Sequence, residues 1–134
     1  GVTALRELVR EAAPLREVGF DAEIVEKHHR HKLDSPSGTA KSILQQFEGS
    51  NVVHGRNGKA KRNEAEVGVH AVRAGGILGE HTVLLSSENE TVELTHRLIT
   101  RRALASGALE AAVFAASAKV GFYTMADVWR SLKG

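Results

Sequence analysis

The run from Glu26 to Ala40 reads Glu-Lys-His-His-Arg-His-Lys-Leu-Asp-Ser-Pro-Ser-Gly-Thr-Ala, a dense concentration of side chains that can do chemistry. Three histidines, one arginine and two lysines fill the six positions from Lys27 to Lys32. Imidazole titrates near neutral pH, so a histidine here can deliver or accept a proton. The Ser-Pro-Ser-Gly-Thr turn that follows commonly opens a helix. A helix opening offers unpaired backbone N–H groups and a positive dipole end to an anion. Together these features predict proton transfer on a small acidic molecule.

Ser37, Gly38 and Thr39 form the expected anion cradle: Gly38 permits close approach, and two hydroxyls add donors. Pro36 is expected in the first helical turn, where its missing N–H costs nothing. The same cradle can serve as an ordinary N-cap, and the two roles are compatible. Glu26 and Asp34 flank the basic stretch and are expected to orient or neutralise it. His28, His29 and His31, at i, i+1 and i+3, rarely converge on one ion, so no metal site is expected.

The surrounding elements must hold this run in place. Residues 3–13 carry Leu5, Leu8, Val9 and Ala12 at amphipathic helical spacing, with Thr3 as the expected N-cap and Pro14 at the expected end. Residues 21–27 form a short strand leading into the histidines, so His28 and His29 would point to opposite faces if the strand continues. Ser37 to Phe47 reads as a helix closed by Gly49, with Ile43, Leu44 and Phe47 inward. Gly55 to Asn63 is a polar loop. Strands are expected near 66–73, 79–86 and 90–97, separated by turns at Gly75-Gly76 and Ser87-Glu88-Asn89. Residues 102–118 form an alanine-rich helix with Leu104, Ala108, Ala111, Ala112 and Ala115 on one face. A turn and short helix over 122–132 end the chain. The pattern predicts an α+β domain over residues 1–134: a mixed sheet of about four strands with helices packed on one face.

Composition narrows the function classes. At 134 residues, 42% hydrophobic and 25% charged, the chain has the balance of an ordinary soluble domain. It has no cysteine, which removes disulfides and thiolate zinc sites and fits a cytoplasmic location. No apolar run approaches the ~20 residues that span a bilayer, and no signal-like leader is evident. Net charge is only +2 and aromatics are 4%, so base stacking and nucleic-acid binding have little support.

Glu-x-His-His-x-x-Lys-x-Asp-x-Pro-Ser-Gly-Thr-Ala resembles the signature of the 4-hydroxy-tetrahydrodipicolinate (dihydrodipicolinate) reductases. Val72-Arg73-Ala74-Gly75, Gly79-Glu80-His81-Thr82, Glu93-Leu94-Thr95-His96-Arg97 and Arg101 follow in that family's order, covering nearly the whole chain. The resemblance implies an oxidoreductase of lysine and diaminopimelate biosynthesis that moves hydride from NADPH or NADH onto a heterocyclic dicarboxylate. It implies His28 as proton donor working with Lys32, and His29, Lys32, Ser37, Gly38, Thr39 and Arg101 as substrate contacts. Arg102 remains a rival to Arg101. Arg73, Glu80 and His81 also match the family and are read as structural. A homotetramer built through the sheet face is implied as well. The family's N-terminal Rossmann domain is absent: no Gly-x-Gly-x-x-Gly occurs here, so no cofactor-binding residue is expected and the chain alone should be inactive. The alternative is a non-catalytic module that binds dicarboxylates and assembles.

Overall fold

The computed structural model describes residues 1–132. Strand β1 (Asp21–His28) is its axis, with Ala22, Ile24, Glu26 and His28 buried at every second position. That alternation follows from the two-residue period of a strand. β1 pairs parallel with β3 (Glu66–Arg73) and antiparallel with β4 (Glu80–Ser86). β5 (Thr91–Arg97) follows β4 antiparallel, and β2 (Asn51–His54) lies parallel to β3. The resulting sheet has five strands in the order β2-β3-β1-β4-β5.

The fold is α+β, with one strand more than the sequence predicts. β2 is four residues long, with only Val52 and Val53 apolar. So short a segment shows no alternation, and its pairing with Val67 and Gly68 makes it a strand.

Helix α1 (Val2–Ala12) and helix α2 (Gly38–Leu44) cover one face of the sheet. Leu5, Val9, Ala40, Ile43 and Phe47 pack there against Ile24, Val67, Val69, Val83 and Leu85. Gly1, not Thr3, occupies the N-cap of α1, and its carbonyl accepts from Leu5 N–H at 2.9 Å. Pro14 does not end the helical path but sits at the start of a 3-10 turn, Ala13–Val18, closed by Gly19 at φ 93°. Proline is tolerated there because the first N–H groups of a helical turn have no partner. Pro36 lies one residue before the N-cap Ser37, after a cis Ser35–Pro36 bond, rather than inside the first turn.

Helix α3 (Arg102–Ser117) departs from the expected packing. None of its residues is buried, and it meets chiefly α4 (Met125–Ser131), which in turn touches α1. No helix of the described residues is long and apolar enough to cross a membrane.

Candidate functional site

Glu26 and His28 lie two residues apart on β1, so both project from the helix-covered face. His28 Nδ1 lies within hydrogen-bond distance of Glu26 Oε2, at 2.6 Å. Glu26 has no exposed surface. Arg73, from the end of β3, grips its carboxylate with both terminal amino groups, at 2.8 Å to Oε2 and 2.7 Å to Oε1. The backbone N–H of Ser37 donates to Oε1 at 3.0 Å. Burial alone pushes the Glu26 carboxyl up; the hydrogen bonds from Arg73, His28 and Ser37 outweigh it and hold the group below the usual glutamate value. One buried anion thus ties β1, β3 and the opening of α2 together.

A second layer of contacts adjoins it. Ser37 Oγ accepts from Ala40 N–H at 3.1 Å, the N-cap bond of α2, and lies 2.9 Å from His81 Nε2 on β4. His81 stands opposite Glu26 in the sheet register and edge-on to His28, with ring centroids 5.1 Å apart. Burial, reinforced by the charge of His28, lowers His81 to about 4, so it is neutral at physiological pH. His96 of β5 is paired across from His81 and is also lowered, by burial and by the N-terminal ammonium. His28 Nε2 lies over Gly79. A Cβ at Gly79 would sit 3.2 Å from that nitrogen, and its φ of +156° disfavours any other residue.

The remaining sequence-predicted residues surround this cluster to different degrees. Lys32 lies on the loop after β1, where its Nζ pairs with Asp34 at 2.7 Å and its charge acts on His81. His29 is half-buried, with its ring tilted against His31 at 6.4 Å. The N–H groups of Gly38 and Thr39 make no hydrogen bond among the described residues. The Ser37 N–H and hydroxyl, by contrast, are already engaged within the protein. Arg101 is exposed at the N-cap of α3, and its side chain makes no hydrogen bond or ion pair with the cluster. Among the described residues no group of three or more potential ligands could hold a metal ion.

Sequence reasoning missed the joint role of Arg73 and His81. Glu26-x-His28 carried a usable signal, since period-two spacing on a strand puts both side chains on one face. Arg73 is 47 residues from Glu26, and only the β1–β3 pairing brings it close.

Among the described residues no helix packs on the sheet's other face, where charged and hydroxyl side chains pair with one another. Lys27 and Arg97 both pair with Glu80, His70 pairs with Glu23 at 2.7 Å, and Thr82 bonds Thr95 at 3.0 Å. The two cations hold the Glu80 carboxyl down to about 2.

Residues 1–129 match the family model described as dihydrodipicolinate reductase, C-terminus. The chain is 47% identical over 133 residues to a 4-hydroxy-tetrahydrodipicolinate reductase of Aquifex aeolicus, covering 96% of this chain and 50% of that protein. It is 49% identical over 134 residues to the reductase of Methanopyrus kandleri, with 96% and 49% coverage. A dipicolinate-bound dihydrodipicolinate reductase from Paenisporosarcina sp. TG-14 superposes at TM-score 0.59 with 28% identity, over 81% of this chain and 45% of that one. The chain spans about half the length of the curated relatives it matches.

Proposed function

Since this chain belongs to the family of dihydrodipicolinate reductase C-terminal domains, we propose that it is the substrate-binding and assembly half of such a reductase. The observation that carries this reading is the convergence at the end of β1. A histidine ring held by a buried carboxylate, the Lys32 loop and the opening of α2 all meet there. The substrate is a heterocyclic dicarboxylate, 4-hydroxy-tetrahydrodipicolinate, and the pathway is lysine and diaminopimelate biosynthesis in the cytoplasm. The dipicolinate bound to the Paenisporosarcina enzyme supports a planar dicarboxylate as ligand.

His28 holds the proton at Nε2 and delivers it to the substrate, because Nδ1 is occupied by Glu26. Lys32, together with the free N–H groups of Gly38 and Thr39, receives a carboxylate. His29 and Ser37 complete that pocket. Arg101 receives the second carboxylate. NADPH or NADH would supply the hydride, but this chain's residues do not fit a dinucleotide. The segment after β1 runs His29 to Ser37 without the glycine-rich turn that cradles a pyrophosphate. By itself the chain therefore does not turn over. The uncovered polar sheet face is the surface through which copies assemble into a homotetramer.

Calorimetric titration of the chain with pyridine-2,6-dicarboxylate, NADH and NADPH tests the proposal. Dicarboxylate binding that weakens at least about tenfold in Lys32→Ala, roughly 1.4 kcal/mol, is expected, with no heat from either nucleotide. Absence of dicarboxylate binding, or binding indifferent to Lys32→Ala, would overturn it.

A further inference from the structure

We propose that Glu26 is a positioning residue for the proton donor: clamped by Arg73 and by the Ser37 N–H, it fixes His28 as the Nδ1–H tautomer and sets its distance from the opening of α2. This deepens the functional reading above and rests on His28 being the proton donor.

A carboxylate gripped by both amino groups of an arginine is ionised, and an ionised carboxylate only accepts hydrogen bonds. The 2.6 Å contact therefore requires the proton on His28 Nδ1. In the neutral ring Nε2 is then the lone-pair atom, the position at which a proton is gained and released. Nε2 makes no hydrogen bond among the described residues, and the side chain keeps 11% of its surface exposed.

The carboxylate also has no freedom to turn. Oε2 receives His28 and Arg73, while Oε1 receives Arg73 and the Ser37 N–H. Arg73 is anchored in turn, donating to the carbonyls of Val72 and Asp34 at 2.8 Å each. Asp34 lies on the same loop as Lys32 and pairs with it. The imidazole, the cationic loop and the start of α2 are thus held to one another through a single carboxylate.

Two measurements test this. Nitrogen-15 NMR of the histidine rings in the 134-residue chain reads the tautomer directly, and Nδ1–H is expected for neutral His28. A wild-type spectrum showing Nε2–H overturns the proposal without any substitution. In a complete reductase carrying this domain, Glu26→Gln is expected to lower kcat by about 10²–10⁴-fold with KM little changed. It should add nothing further in a His28→Ala background, because it acts through that ring. Independent, multiplying losses overturn the positioning role. Glu26→Asp keeps the charge, and retention of the Nδ1–H tautomer in that variant supports the role even if Glu26→Gln fails to fold. Should His28→Ala leave turnover intact, the parent reading fails and this one with it. Should His28→Ala abolish turnover while Glu26→Gln does not, the positioning role alone fails.

Discussion

Glu26 is a charge with no exposed surface, and it persists because donors meet both of its oxygens. Removing one partner of such a pair leaves an uncompensated buried charge. Arg73→Ala is therefore expected to destabilise the domain by about 3–5 kcal/mol, read as a shift in urea midpoint. An unchanged midpoint would mean that solvent replaces the guanidinium. Gly79 makes a different kind of demand. Its φ is +156°, and a Cβ there would sit 3.2 Å from His28 Nε2, so the ring must give by a few tenths of an ångström to admit a methyl group. Gly79→Ala should cost about 1–3 kcal/mol in backbone strain. In a complete reductase it should also lower turnover by covering that nitrogen. Wild-type stability together with wild-type turnover would show that the ring swings aside.

At the scale of elements, β1 delivers the chemistry and α2 shapes the opening beside it. A seven-residue helix is too short to persist alone, so its cap and core contacts must hold it. Ile43 and Ala40 supply the apolar anchor, and Ser37 supplies the cap and the link to His81. Ser37→Ala removes both hydrogen bonds of that hydroxyl and should cost about 2 kcal/mol. Hydrogen exchange in residues 38–44 should rise more than in β1. Equal protection in both forms would assign the stability of α2 to Ile43 instead. These elements also mark the limit of local reading. The 21–27 strand and the Ser37 cap were legible from periodicity and residue type, whereas β2 was not, because four residues carry no period.

For the whole molecule, acid stability follows from the buried histidine. Between pH 6.5 and about 4 an unfolded His81 is protonated while the folded ring refuses the proton, chiefly because of burial. The unfolded state binds more protons in that window, so stability is complete above pH 6.5 and falls as pH drops toward 4. The loss amounts to about 3 kcal/mol from this one ring. Glu26 and Glu80 add a second loss below the ordinary glutamate range, since both are held ionised by cations in the fold. His81→Gln should reduce the first slope, to which the lowered His96 also contributes, and leave the second, as read from urea midpoints between pH 7 and 3. A His81→Gln profile identical to wild type would assign the first slope elsewhere. Assembly belongs to this scale too: light scattering should give four chains per particle, and a monomer would exclude the sheet face as an interface.

The sequence by itself determined the family, the α+β class and the segment that carries the chemistry. Glu26 to Ala40 is contiguous, so residue types and spacing alone place a histidine pair beside a helix opening. Strand and helix periods likewise follow from local sterics. Only the tertiary structure decided which groups answer one another across the sheet. Arg73 reaches Glu26 from 47 residues away, and His81 reaches Ser37 from 44. Those partnerships depend on the β3-β1-β4 register, and register is a property of long-range backbone pairing and core burial that no local window contains. The engagement of Ser37 and the exposure of Arg101 were hidden for the same reason. A side chain's chemistry is written in its type, but its partners are chosen by the packing around it.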